Sequence, residues 1–218
     1  MFCSIAPSYD LLNSLMSFSA HKRWRAEAVG LLGLAEGCAA LDLCCGTGDF
    51  VPCLRHRVGA KGTVVGLDFA EPMLKIARNK NGAEGVFLSG DAMSIPFRSG
   101  SFDAVTVGWG IRNVADIDAV HSEIVRVLKP GGRFVSIDMA VPRNALVRAA
   151  SRLLLGAAIP LLGWLVGQRR AYAYLPESTQ RFRTREQLEQ SMKAAGMGST
   201  GFRDRMFGNV CIHWGTKP

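Results

Sequence analysis

Leu41-Asp42-Leu43-Cys44-Cys45-Gly46-Thr47-Gly48-Asp49 reads as the end of a buried strand that runs into a glycine-bearing turn and then a helix. Glycine at such a turn lets a ligand approach the backbone and lets the helix pack closely on the strand. Outward from it, short apolar or β-branched runs alternate with longer amphipathic ones. Strands are expected at Ala39–Cys44, Thr63–Asp68, Gly85–Ser89, Phe102–Trp109 and Arg133–Asp138, and helices at Asp49–Val58, Pro72–Lys80 and Asp116–Leu128. Alternation of this kind implies an α/β fold, a parallel sheet covered by helices on both faces. Lys129-Pro130-Gly131-Gly132 reads as a helix stop and a turn into the next strand. Near the end of the chain, Arg185–Ala195 reads as a helix closed by Gly196, and Gly201–Phe207 and Val210–Gly215 flank Gly208-Asn209, a hairpin turn.

Open α/β sheets bind ligands at the carboxyl ends of their strands, so a nucleotide-type ligand is expected at Gly46, Thr47 and Gly48. A dinucleotide fingerprint needs a third glycine, but Val51 stands three residues after Gly48. Asp42, inside the strand, suits a ligand with a cationic amino-acid end, which favours S-adenosylmethionine. Asp68 ends the second strand, where a carboxylate can take two ribose hydroxyls. Asp91 and Ala92 follow the third strand, where an exocyclic adenine amine could donate. Three acidic residues closing three successive parallel strands define one crevice.

Several stretches resemble the ubiquinone/menaquinone biosynthesis C-methyltransferase family, a branch of the class I S-adenosylmethionine-dependent methyltransferases. Tyr9 to Trp24 is similar to its first signature and Arg126 to Phe134 to its second. Gly110-Ile111-Arg112-Asn113 and Tyr174-Leu175-Pro176-Glu177-Ser178 resemble two further stretches. The resemblance runs over essentially the whole chain. It implies a Rossmann-like fold with a seven-stranded, mostly parallel sheet. In that reading residues 1–38 form a helical cap and residues 39–140 the cofactor-binding core. Residues 141–183 form a substrate lid, and residues 184–218 a helix and hairpin that complete the sheet. It places cofactor contacts on Thr47, Asp68, Asp91, Ala92 and Gly108, the last at a position usually held by Ser. It points to a prenylated quinol as substrate and admits a homodimer; a methyltransferase acting on another small or lipid-like acceptor, or a non-catalytic scaffold of a quinone-synthesising assembly, is the alternative. No metal is required, because the sulfur that gives up the methyl group is already cationic. Leu12, Asp138 and Ala140 also depart from the signatures, standing where Met, Glu and Ser are usual.

Methylating a ring carbon requires an electron-rich nucleophile, which a quinol becomes when the adjacent hydroxyl loses its proton. The resemblance assigns that activation to Arg112 and Asn113. A guanidinium titrates above about 12 and has no acceptor, so Arg112 would stabilise the phenolate or polarise a water and would not take the proton. Tyr9 is expected to touch substrate or cofactor, with Asp10 and His21 in the same covering segment.

The 218 residues correspond to one domain. Apolar residues make up 48% and charged residues 20%, enough core material to exclude a disordered chain. The net charge of +8 is unevenly placed: residues 1–140 carry 14 basic and 14 acidic side chains, and residues 141–218 carry 12 and 4. No carboxylate lies between Asp138 and Glu177, whereas Arg143, Arg148, Arg152, Arg169 and Arg170 do. Basic side chains threaded through apolar sequence suit an anionic membrane surface. Nucleic acid is not expected, since no base-flipping motif and few interleaved aromatics accompany the charge. The six cysteines lack metal-finger spacing and fit a reducing cytoplasm. The apolar run Leu153 to Val166 is 14 residues broken by Pro160. A bilayer span needs roughly 20, so neither a transmembrane helix nor a signal peptide is expected, and the protein is read as cytoplasmic or peripheral on the inner face of the membrane.

Overall fold

The computed structural model describes residues 20–154, 178–179 and 181–218. Tyr9, Asp10, most of the first signature, the run from residue 155 to Val166 and the stretch Tyr174 to Glu177 lie outside the described residues. Seven strands, β1 (Ala39–Leu43), β2 (Thr63–Asp68), β3 (Val86–Ser89), β4 (Phe102–Gly108), β5 (Leu128–Met139), β6 (Gly198–Arg205) and β7 (Val210–Thr216), form one sheet in the order β3-β2-β1-β4-β5-β7-β6. The first five pair in parallel, and β7 runs antiparallel to both β5 and β6. The expected mostly parallel sheet is therefore present, with one reversed strand.

Side chains alternate across each strand, and the two faces bury different helices. Ala40, Ala104 and Val135 pack with Val29 of α1 (Ala20–Leu31), Leu54 of α2 (Val51–Val58) and Leu74 of α3 (Glu71–Asn81). On the other face Leu41, Val105 and Phe134 pack with Ile124 of α4 (Ile117–Val127) and Met192 of α6 (Arg185–Ala194). β1 is buried from Ala40 to Leu43 because it lies mid-sheet under both layers. The helix starts are fixed locally. The Asp116 side chain accepts from the Asp118 and Ala119 N–H groups, and Thr184 and Gln187 form a reciprocal capping box. α5 (Ala145–Leu153) differs from the others in burying none of its residues.

Two boundaries differ from the sequence expectation. β5 begins at Leu128, so Lys129-Pro130-Gly131-Gly132 lies inside it as a bulge: Leu128 pairs with Phe102 and Arg133 with Ala104. Gly131, at φ 75°, makes the bulge, and its N–H donates to the Lys217 carbonyl at 2.9 Å. The β6–β7 connection is also longer than a Gly208-Asn209 turn. Met206, Phe207 and Gly208 all have positive φ, and Arg205 pairs with Val210. Arg185 holds this loop by donating to the carbonyls of Gly208 (3.1 Å) and Val141 (3.0 Å).

After β1 the chain builds β2 and β3 on one side, then returns to place β4 on the other. The connections at the carboxyl ends of β1 and β4 therefore diverge and open a crevice there.

Candidate functional site

A cavity of about 330 Å³ occupies that crevice. Gly46, Asp68, Asp91, Ala92 and Gly108 line it, together with Asn113 and the apolar side chains of Phe69, Met73 and Trp109. Asp42 and Thr47 line a smaller recess of about 30 Å³, which shares Cys44, Gly46, Gly108 and Trp109 with the larger cavity. Gly48 lines neither. An added Cβ there would lie 2.8 Å from Asn81 Nδ2 and 3.0 Å from the Phe87 ring, so this glycine, at φ 77°, serves the packing of the turn.

Asp68 is tied down by the backbone. Its Oδ2 accepts from the Gly46 N–H and its Oδ1 from the Ala70 N–H, each at 2.8 Å. Each carboxylate oxygen has about two acceptor sites, so a pair of ligand hydroxyls can still donate to Asp68. Burial raises its pKa above the usual carboxylate range, against the pull of those N–H groups. Asp91 is exposed and accepts from the Met93 N–H at 2.9 Å, which orients the Asp91-Ala92 corner.

Asp42 is 1% exposed. Its Oδ1 accepts from the Thr106 hydroxyl at 2.8 Å, whereas Oδ2 is buried with no hydrogen-bond partner. Burial pushes this carboxyl up to about 7, opposed by the Thr106 hydrogen bond and the Arg25 charge. A buried acceptor without a partner is costly and marks a place where a ligand donor belongs.

Several residues of the site were not legible in the sequence. Arg25 of α1 reaches into the recess, pairs with Asp49 at 2.6 Å and lies over the Trp109 ring at 5.0 Å. Lys80 also pairs with Asp49, at 2.5 Å. The basic run before Arg25 was the only signal for it. Trp109, at φ 54°, is anchored by its N–H to the Ile137 carbonyl at 2.7 Å. The Gly108 departure also has a physical reason, because a Cβ there would fall 2.7 Å from Phe50 Cε2 and the ring of Phe50 fills the space. Cys44 and Cys45 are small residues packed beside the turn, and burial pushes both thiols up, away from the reactive thiolate.

Arg112 and Asn113 sit on a short 3-10 turn, Ile111–Asn113, after β4, but they face different spaces. Asn113 lines the first cavity and donates to the Trp109 carbonyl at 2.9 Å. Arg112 lines a second cavity of about 670 Å³, with Asp116, Asp118, Arg181, Phe182 and Arg183. The two cavities share Val114 and Ala115. The Arg112 guanidinium is 7% exposed and ion-pairs with Asp138, which is 4% exposed. His213 lines neither cavity; it is buried in β7, with Nε2 3.0 Å from the Arg185 carbonyl.

The family model described as the ubiE/COQ5 methyltransferase family matches residues 1–217. The chain belongs to the ubiE/COQ5 methyltransferase family. Among its relatives, a demethylmenaquinone methyltransferase of Thermus thermophilus is 45% identical over 100% of both chains. One of Lactiplantibacillus plantarum is 39% identical over 100% of this chain and 94% of the relative. A SAM-dependent methyltransferase of Thermotoga maritima has the same fold at 20% identity, with a TM-score of 0.67 over 96% of this chain and 95% of that one. The Rossmann-like methyltransferase fold expected from the sequence is the fold of this ubiE/COQ5 family member.

The crevice of this methyltransferase fits S-adenosylmethionine on its own observations. Gly46 at φ 53° has nothing within 4 Å of a built Cβ, so the turn is open toward the crevice. The orphaned oxygen of Asp42 calls for a cationic donor, Asp68 retains acceptor capacity for a cis-diol, and Phe69, Met73 and Trp109 offer apolar walls to a nucleobase. Among the described residues no helix is long and apolar enough to cross a membrane.

Proposed function

We propose that this protein transfers a methyl group from S-adenosylmethionine to a ring carbon of a prenylated naphthoquinol, converting a demethylmenaquinol to a menaquinol; the equivalent benzoquinol of ubiquinone biosynthesis is the alternative substrate. The observation that carries this reading is the full-length 45% identity to a demethylmenaquinone methyltransferase, together with the three acidic residues at the strand ends of the crevice.

When bound, S-adenosylmethionine supplies a methyl group on a cationic sulfur. Asp42 and Thr47 would hold its amino-acid end in the recess, Asp68 the ribose hydroxyls, and Asp91 with Ala92 the adenine edge. Trp109 and Arg25, stacked on each other, would form one wall of the recess beside that end. Asn113, at the wall of the first cavity, orients a ring oxygen of the quinol, and Arg112 stabilises the phenolate from the second cavity. Fixing the two reactants in line provides much of the acceleration. Tyr9 is proposed as a further contact to substrate or cofactor.

A prenylated substrate resides in a bilayer, so we place the protein on the cytoplasmic face of the membrane as a peripheral protein. Six basic side chains of the described C-terminal third are ion-paired internally: Arg143 with Glu186, Arg183 with Asp118, Arg185 with Asp204, Lys193 with Glu189, and Arg203 and Arg205 with Glu27. What supports contact with anionic lipid is α5, where Leu146 (82%) and Leu153 (73%) are exposed beside Arg148 and Arg152, and Phe207 (86%) on the β6–β7 loop. Flotation with vesicles tests this, with binding expected only when anionic lipid is present; equal and negligible binding to both vesicle types contradicts it.

The substrate reading is tested by kcat/KM for a panel of demethylated naphthoquinols and benzoquinols. A preference for the naphthoquinol is expected; a preference for the benzoquinol moves the assignment to the alternative, and transfer to neither overturns it.

A further inference from the structure

We infer that Asp138 is a positioning residue for the methyl-transfer reaction, fixing the Arg112 guanidinium at the wall of the second cavity; this rests on the quinol reading above. Asp138 lies near the end of β5, the strand next to β4 in the sheet. Its carboxylate gathers three donors. Arg112 gives its side-chain Nη1 to Oδ1 and its backbone N–H to Oδ2 at 3.2 Å, and the Met139 N–H donates to Oδ1 at 2.8 Å. One buried carboxylate thus fixes both the backbone of the 3-10 turn and the head of the side chain that the turn carries.

The location gives this clamp a functional meaning. Val114 and Ala115, shared by the two cavities, directly follow Arg112 and Asn113 in sequence. A quinol bridging these spaces presents its ring carbon toward the first and the ionising hydroxyl toward the second. An arginine side chain has several rotatable bonds and its planar fork is effective only in a fixed orientation, so an unheld Arg112 would meet the phenolate in a spread of geometries. Asp138 also answers the charge of Arg112, because removing one partner of a buried pair leaves the other uncompensated and drives it to relocate.

The test compares the full-length wild type with Asp138→Asn, Asp138→Glu, Arg112→Ala and the Arg112→Ala/Asp138→Asn double variant. Each is assayed for transfer to demethylmenaquinol and, separately, for S-adenosylmethionine affinity. Asp138→Asn is expected to lower kcat by about 100-fold, as for a reacting group misplaced by about 1 Å, and to change cofactor Kd by less than about 2-fold. In the Arg112→Ala background the same substitution is expected to change kcat by less than about 2-fold, because its effect passes through Arg112. Asp138→Glu keeps the carboxylate and the charge pair and is the residue that the family resemblance makes usual here, so it is expected to fold and to keep kcat within about 3-fold of wild type. Wild-type kcat in Asp138→Asn, or losses that add in the double variant, overturn the inference and leave the quinol reading standing. If Asp138→Asn does not fold, Asp138→Glu decides: kcat within about 3-fold of wild type is expected, and a loss as large as that of Arg112→Ala overturns the inference. Absence of transfer by the wild type overturns the quinol reading and this inference with it.

Discussion

Asp42 on β1 and Thr106 on β4 are register partners in the middle of the sheet, and the Thr106 hydroxyl donates to the Asp42 carboxylate across 2.8 Å. That bond satisfies one oxygen and leaves the other buried and without a partner at the point where the two strands' connections diverge. The site thus holds an acid that is costly to ionise without a ligand and that becomes a strong counter-charge with one.

With the cofactor's amino-acid end placed on Asp42 as proposed, cofactor binding is expected to depend on pH. Burial holds Asp42 near 7, so it is mostly protonated at pH 6 and mostly ionised at pH 7.5. A cationic ligand selects the ionised form, and S-adenosylmethionine affinity is expected to rise about 5- to 10-fold over that interval. In the ligand-free protein the sign is opposite. The folded state keeps the proton above the ordinary carboxylate pKa while the unfolded chain has lost it, so Asp42 makes stability fall as pH rises from about 4 to 7. Asp42→Asn should abolish both trends and weaken cofactor binding by about 10- to 100-fold. Calorimetric titration and thermal unfolding across this range check the three outcomes; an unchanged affinity in Asp42→Asn contradicts the role given to Asp42.

Gly108→Ser is expected to destabilise this protein by about 1–3 kcal/mol, because the new Cβ meets the buried Phe50 ring. Phe50→Leu in the same chain should recover part of the loss. Denaturant unfolding of the three variants measures this, and a neutral Gly108→Ser shows that Phe50 gives way.

Arg25→Ala removes the cation that pairs with Asp49 and lies over Trp109. A stability loss of about 2–4 kcal/mol is expected, less than for a wholly uncompensated acid because Lys80 still pairs with Asp49. Although burial works against ionisation of Asp49, the Arg25 and Lys80 charges hold its pKa below the usual carboxylate value. Its contribution is therefore present above about pH 4 and lost as pH falls through the lowered pKa. Acid unfolding of Arg25→Ala should be less steep than that of the wild type; equal steepness contradicts this account of the pair.

The parts of the fold and site that were legible in the sequence share a local origin. Ala39 to Asp68 shows strand, turn, helix and strand because apolar runs, glycines and a proline act within a few residues of each other. Asp42, Asp68 and Asp91 could be assigned to one crevice because strand ends are where such a sheet opens, and all three line its cavities. What was hidden depends on register between distant segments. Arg112 and Asp138 are 26 residues apart and meet only because β4 and β5 are neighbours, so the sequence offered Arg112 without the partner that orients it. Arg25 meets Asp49 through the docking of α1 on the sheet, which no local pattern encodes. The same holds for β5, whose bulge keeps strand pairing on both sides of Gly131. It holds also for the β6–β7 loop, whose shape is set by Arg185 from another element.

The most direct test of the central claim is incubation of the protein with S-adenosylmethionine carrying a 13C-labelled methyl group and a demethylated prenyl naphthoquinol, followed by NMR of the product. Label on the unsubstituted ring carbon, in a yield that falls sharply in Asp42→Asn, is the predicted result. Label on a quinol oxygen, or no transfer to the quinol, would contradict it.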